Sequence, residues 1–304
     1  MGDNRKITDE QYRAFTEYLG DLQLHKVYSI HTARLAGFTN FGMERVGKIL
    51  GCGRYICMQP REETAGWEIV ASNFCRLRMC PMCAWRRSLR LYSQMLQVAA
   101  ELSDFQWVLF TLTVPNVAGV ELSDTLSELF RTSREMLNLP EFRGFKGWLR
   151  CAEVTYSPER RDFHPHLHFL AAVRPGYFKG KQYISQARLQ ELWQRWWPDV
   201  EDMDIRKVRG YKGVCEVCKY AVKPMVCPED EEMLVEQAQA CEVLWSALHG
   251  RRLLQSAGVV KDTLKRLKID LEAEEQEGTE DVEKPLLRLT WYDSDMKYHP
   301  CRER

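Results

Sequence analysis

A chain of 304 residues can bury one sizeable core with appended modules, and 45% hydrophobic with 28% charged residues is ordinary for a globular protein. No run of about 18 apolar residues occurs, so no membrane span is expected. The polar start MGDNRKITDEQ lacks the apolar core of a secretory signal, so an intracellular, cytoplasmic setting is expected.

In chain order, a cysteine-rich N-terminal region ends in a helix over Ala84–Leu102, where Leu89, Tyr92, Met95, Leu96 and Ala99 recur at helical spacing. Trp107–Thr113 is a strand ended by Val114-Pro115-Asn116. Glu121–Leu137 is a helix with Leu122, Leu126, Leu129 and Phe130 on one stripe. Trp148–Tyr156 and His164–Val173 are strands joined by the hairpin connection SPERRDF. Ser185 caps a helix carrying Leu189, Leu192, Trp193 and Trp196. Met203–Val208 is a strand and Val214–Lys223 a short helix. This order predicts an α+β fold of the ferredoxin-like or RRM-like kind, an antiparallel sheet with helices on one face. Helices over Leu234–Leu248 and near Val260–Leu271, an acidic linker and a terminal strand in LLRLTWYD follow. Three regions are expected: 1–104 with the cysteines and the basic helix, 105–226 as the core, and 227–304 as a helical extension.

The 43 Lys and Arg balance the 43 Asp and Glu, but unevenly. Cys75 to Tyr92 holds Arg76, Arg78, Arg86, Arg87 and Arg90 and no acid. Ile205 to Pro224 holds Arg206, Lys207, Arg209, Lys212, Lys219 and Lys223 against Glu216 alone, whereas Asp270–Glu283 has eight acids and no base. Such separation permits an electropositive face for nucleic acid, although a solvated helix face explains any single run.

Within FHPHLHFLAAV, His166 and His168 alternate on a strand and share a face, about 7 Å apart along it. Leu167 and Phe169 point to the other face, toward the helices. Hairpin pairing centred near residue 160 brings Glu153 opposite Leu167 and beside both histidines. A His₂–carboxylate set can hold one divalent ion with positions open for a phosphate. His164 is a fourth ligand, a DNA contact or the strand entry; the bland alternative for all three is structural sheet histidines.

Glu216, Tyr220 and Lys223 fall along one face of the helix VCEVCKYAVK, a pattern also common on helix surfaces. A phenol is a poor nucleophile near its normal pKa, so a cation at the target phosphate and a nearby lysine would assist it. Cys75-x₄-Cys80-x₂-Cys83 has zinc-ligand spacing. Cys52 completes the site in preference to Cys57, because a glycine follows it. Cys215, Cys218, Cys227 and Cys241 are expected to be reduced thiols.

Together FTLTVPN (110–116), HPHLHFL (164–170) and EVCKYAVK (216–223) resemble the ordered motifs of HUH endonucleases, specifically the single-tyrosine initiators of small rolling-circle plasmids. CRLRMCPMCAWRRSL (75–89) resembles the cysteine segment of those initiators, and HGRRLLQSAGVVKD a segment after their tyrosine helix. The resemblance implies that His166 and His168, with Glu153, bind Mg²⁺ or Mn²⁺, while Thr111 and Thr113 border the site. It implies that Tyr220 attacks DNA to give a 5′-phosphotyrosyl link, Glu216 activates water at termination and Lys223 contacts phosphate. A structural Zn²⁺ on the four cysteines would fix the arginine-rich helix against DNA. The implied partners are origin DNA (duplex plus a single-stranded or hairpin nick site) and a host helicase, with room for a homodimer. Basic residues would track phosphates and Trp85 could stack on bases or belong to the core. The rivals are an HUH transposase or mobilisation relaxase, a non-catalytic zinc DNA-binding regulator, and a His₂–carboxylate enzyme acting on small molecules.

Overall fold

The computed structural model describes residues 8–61, 66–208, 218, 225, 228–271 and 287–301. In chain order its elements are α1 (Asp9–Ala36), α2 (Met43–Gly51), β1 (Tyr55–Pro60), β2 (Trp67–Ser72), α3 (Pro81–Glu101), β3 (Gln106–Thr113), α4 (Leu122–Leu137), β4 (Phe145–Ser157), β5 (Asp162–Val173), α5 (Gln186–Trp193), β6 (Asp204–Lys207), α6 (Glu231–Leu248), β7 (Leu254–Ala257), α7 (Gly258–Arg266), β8 (Leu287–Tyr292) and β9 (Lys297–Pro300). The expected helix Val214–Lys223 lies outside the described residues, apart from Cys218. Among the described residues no helix is long and apolar enough to cross a membrane.

The chain forms two compact units: Met1–Trp85 with Pro224–Ala238 and Glu274–Arg304, and Arg86–Lys223 with Gln239–Ala273. In the first, Thr8 and Gln11 form a capping box. Gln11 N donates to Thr8 Oγ1 and Thr8 N to Gln11 Oε1, both at 3.1 Å, which satisfies two donors at the start of α1. Helix α1 buries Leu22, Ser29, Ala33, Leu35 and Ala36, and α2, packed on it, buries Val46 and Ile49. An antiparallel sheet runs β2-β1-β8-β9. The expected terminal strand is thus half of a hairpin, and it pairs with β1 through Tyr55↔Thr290 and Ile56↔Leu289.

The second unit carries an antiparallel sheet of order β6-β3-β5-β4-β7. The elements β3-α4-β4-β5-α5-β6 give the strand order of a split βαβ arrangement, and β7 adds a strand beside β4. Ser185 caps α5, its Oγ accepting from Arg188 N at 3.2 Å. Helix α7 stops at Arg266, short of the expected Leu271. Lys268 turns left-handed (φ 55°), and Ile269 N→Leu264 O and Lys268 N→Lys265 O close a Schellman motif with lysine where glycine is usual.

The expectation of helices on one face is corrected. On one side Phe110 stacks on Phe169 at 4.6 Å, and Arg150 lies over Phe130 of α4 at 4.5 Å. On the other, Leu109, Leu149, Leu170 and Ala172 pack with Leu91, Met95, Val98 and Leu102 of α3 and its end, and with Val260 and Leu264 of α7. That second side also carries the histidines, so helices cover part of it and leave the histidine rows for chemistry.

The β4–β5 register is also corrected. Glu153 pairs with His166 and Ala152 with Leu167, one residue from the expected pairing. The difference decides the site, because residues directly opposite each other share a face and a one-residue slip reverses it.

Where β7 joins α7, the backbone of Gly258 (φ +56°) meets that of Gly147. A Cβ on Gly258 would lie 2.1 Å from Lys146 O, and one on Gly147 2.6 Å from Val259 N. Strain and clash together predict that Gly258→Ala destabilises the protein by about 3 kcal/mol or more. Urea denaturation measures this; a change below about 0.5 kcal/mol would contradict it.

Candidate functional site

Three rows of side chains cross the histidine face. Thr113, His166 and Glu153 form the first; Asp204, Thr111, His168, Cys151 and Leu254 the second; Arg206, Leu109, Leu170, Leu149 and Ser256 the third. The third row is apolar where α3 and α7 cover it, and the first two hold the polar groups. Glu153 Oε2 lies 3.1 Å from His166 Nε2 and 2.9 Å from His168 Nε2, with side-chain exposures of 4%, 11% and 12% respectively.

Outer contacts orient both rings. His166 Nδ1 donates to the His164 carbonyl at 3.1 Å, and His168 Nδ1 lies 3.0 Å from Thr111 Oγ1. A carbonyl only accepts, so the proton on neutral His166 sits at Nδ1 and a lone pair at Nε2 faces the carboxylate. Lone pair against carboxylate is repulsive unless a cation, proton or metal, lies between them. Burial pushes the Glu153 carboxyl up, but hydrogen bonds and charge from His166 and His168 when their rings carry both protons outweigh it and hold the group well below the ordinary carboxylate range. The ligand atoms of Glu153, His166 and His168 all lie within 4.8 Å of one another. This donor set fits a divalent ion and leaves coordination positions open.

His164 is not in this group; its ring centroid is 5.2 Å from that of His166, and its backbone carbonyl does the orienting. Thr113 Oγ1 donates to Asp202 O at 2.9 Å, and Trp193 Nε1 to Thr113 O at 2.7 Å, tying α5 to the end of β3. The bond from Thr111 to His168 was not foreseen, although their shared cross-strand position was the available signal.

The second group is Cys52, Cys75, Cys80 and Cys83, whose sulfurs lie within 4.8 Å of one another. Cys52 Sγ is 3.5 Å from Cys83 Sγ and accepts from Cys75 N at 3.3 Å; Cys75 Sγ is 3.7 Å from Cys83 Sγ. Cys52 caps α2, Gly53 turns left-handed after it (φ +63°), and Arg76 does so after Cys75 (φ 60°). Burial raises the Cys80 thiol, but hydrogen bonding with Cys52, Cys75, Cys83 and Ser29 outweighs it and brings the group well below the ordinary range. Four sulfurs at this spacing fit a closed tetrahedral metal site. Cys57 stands apart on β1, opposite Arg288. Cys218 and Cys241 are buried, while Cys215 and Cys227 lie outside the described residues.

Of the expected DNA contacts, Arg76 and Arg78 are exposed, and Arg86, Arg87 and Arg90 are half-buried on α3. Arg206 is exposed and paired with Asp204 at 2.9 Å; Lys207 is exposed over the Phe178 ring at 4.9 Å. Arg209 and Lys212, like Glu216, Tyr220 and Lys223, lie outside the described residues. Trp85 belongs to the core: it is 5% exposed and stacks on His25 at 4.7 Å, so no base can stack there. Cys218 packs in the cluster formed by Cys151, Leu149 and Leu170, on the sheet face that bears the histidines.

Three outcomes are expected. Thr111→Val weakens Mn²⁺ binding roughly tenfold or more, measured by calorimetry, because an outer hydrogen bond to a ligand is lost. Cys52→Ala loses the thiol-bound metal while Cys57→Ala keeps it, as metal content per chain will tell. Glu153, depressed in the folded state, stabilises the metal-free protein above its ordinary pKa of 4.5, and that contribution is lost as the pH falls through the folded value. Glu153→Gln therefore flattens the acid limb of metal-free thermal stability; an unchanged limb contradicts this.

The Replication protein family model matches residues 67–298. A "Protein rep" of Bacillus sp is 31% identical over 254 residues, covering 74% of this chain and 81% of that protein. A "Protein rep" of Streptococcus pneumoniae serotype 2 (strain D39 / NCTC 7466) is 34% identical over 227 residues, covering 69% and 68%. A "Replication protein" of Staphylococcus aureus is 30% identical over 179 residues, covering 54% and 75%. No solved structure matches. With most of its length matched by the family model and by these relatives, the chain belongs to the Replication protein family.

Proposed function

We propose that this protein initiates rolling-circle replication of a plasmid, as an HUH-type endonuclease that nicks single-stranded origin DNA and holds it on Tyr220. The observation that carries this reading is the Glu153–His166–His168 group on an antiparallel sheet, in a chain of the Replication protein family. The place of Cys218 on the histidine-bearing face supports it, because Cys218 is two residues from Tyr220.

In the proposed reaction, the Tyr220 oxygen attacks the scissile phosphorus as the phenol gives up its proton. The P–O3′ bond breaks, leaving a 5′-phosphotyrosyl link and a 3′-oxygen that takes up a proton and primes synthesis. A bound Mg²⁺ or Mn²⁺ would supply Lewis-acid polarisation of that phosphate. Glu153 and the two histidines hold the ligand geometry, with His164 O and Thr111 fixing the rings. Lys223 offsets phosphate charge; to end the round Glu216 takes a proton from a water whose oxygen attacks the phosphotyrosyl phosphorus, the P–O bond to Tyr220 breaks, and the phenolate takes up a proton.

Zn²⁺ on Cys52, Cys75, Cys80 and Cys83 would be structural, because four thiolates leave no position for substrate. Arg76, Arg78, Arg86, Arg87, Arg90, Arg206, Lys207, Arg209 and Lys212 would meet phosphates of origin DNA. A nick does not unwind a duplex, so a host helicase is the expected partner, working in the cytoplasm.

Incubation with an origin oligonucleotide and Mn²⁺, followed by denaturing electrophoresis and peptide mapping, tests the reading. A covalent adduct on Tyr220, absent with EDTA and in Tyr220→Phe, is expected. An adduct that persists in Tyr220→Phe removes this nucleophile, and no adduct on any cognate origin removes the nuclease.

A further inference from the structure

Helix α1 carries a lysine that neither the proposed nuclease chemistry nor the four cysteines account for. Lys26 is 1% exposed, and its Nζ donates to Leu50 O at 2.6 Å and Cys52 O at 2.8 Å. Among the described residues no carboxylate forms an ion pair with it. A buried ammonium without a directly paired anion is strongly unfavourable; two carbonyl dipoles, and Asp293, which is itself paired with Arg54 at 2.6 Å, compensate it only in part. One turn further along α1, Ser29 Oγ lies 3.5 Å from Cys80 Sγ, donates to His25 O at 2.9 Å and accepts from Met82 N at 3.2 Å. Thus Lys26 and Ser29 reach the backbone or sulfur of two of the four cysteines from one helix.

A divalent ion on four thiolates leaves a net charge of −2 in a site where three of the four cysteines are buried. We propose that Lys26 is the charge-compensating residue of the Cys52–Cys75–Cys80–Cys83 metal site, and that with Ser29 it makes the docking of α1 depend on metal occupancy. This rests on reading the four cysteines as a metal site. With metal bound, the ammonium faces the negative charge it needs, and the metal centre gains a positive neighbour that lowers the cost of gathering four thiolates. With metal removed, Lys26 no longer faces the metal–thiolate centre that compensates it, and α1 loses part of its reason to stay docked. The bland competitor is helix capping: Leu50 and Cys52 sit at the C-terminal end of α2, where a cation is favourable with or without metal.

The test compares wild type with Lys26→Met, Lys26→Arg and Ser29→Ala. Zinc affinity is measured by competition with a chromophoric chelator, and melting temperature with and without zinc. Lys26→Met is expected to lower zinc affinity at least tenfold and to shrink the zinc-dependent rise in Tm, while its metal-free form melts no lower than metal-free wild type. Lys26→Arg restores part of the affinity, and Ser29→Ala shows a smaller loss of the same sign. Equal loss of Tm in both forms with unchanged affinity is the capping outcome and overturns the proposal. Should Lys26→Met not fold, hydrogen exchange of wild type decides. Chelation must strip protection from residues 22–36 of α1, and unchanged protection overturns the proposal. Wild type that takes up no zinc at all points instead to failure of the metal-site reading.

Discussion

The chemistry of the sheet depends on one register, with Glu153 across from His166 and Cys151 across from His168. Slid by one residue, β4 would present Ala152 to the histidines and bury the carboxylate among Phe110, Phe169 and α4. Several features fix the pairing. The turn closes with Arg161 N on Ser157 O at 2.8 Å, with Arg161 in the left-handed region (φ 57°). Phe163 exchanges both backbone hydrogen bonds with Val117 on the far side of β5. Both faces of the β4–β5 pair are packed, so a slip would bury the charged partners of one face in the apolar filling of the other.

That two-sided packing explains why β5 changes character along its length. Near the turn its outward positions are His164, His166 and His168; farther on they are Leu170 and Ala172. The run HFLAAV does not alternate, and a strand covered on both faces has no reason to alternate. The sequence therefore contained the sign that helices cover both sides, in Leu170 and Ala172, but the preceding histidine alternation favoured a one-sided sheet. The order of elements was legible because hydrophobic period and turn residues are local. The one-residue register was not, since a turn built on Arg161 lacks the glycine that would mark its left-handed position.

The cysteine unit divides the same way. The cluster Cys75-x₄-Cys80-x₂-Cys83 was readable because ligand spacing is local, and Cys52, which Gly53 follows, lies with those three sulfurs while Cys57 stands apart on β1. Helix α1 also has a local mark, the capping box at Thr8 and Gln11. The pairing of β1 with β8 had none, because it joins Tyr55 to Thr290 and no local pattern announces a partner so distant in sequence. Trp85 illustrates a subtler limit. A tryptophan among arginines suits stacking on bases, yet its ring is taken by His25 and Tyr18.

The two ligand groups answer opposite requirements, and their surroundings differ accordingly. Four sulfurs close a tetrahedron, so that centre needs no approach from solvent; Cys52 and Cys80 are fully buried, with Lys26 and Ser29 beside them. Two imidazoles and one carboxylate leave coordination unsatisfied, so that group must keep an opening while its rings stay fixed. His166 and His168 retain slight exposure, and each is held through its inner nitrogen, one by a carbonyl of its own strand and one by Thr111. Orientation from behind with access in front is what a substrate phosphate would require. The four-cysteine group, with three of its residues buried, presents no comparable row of open coordination positions.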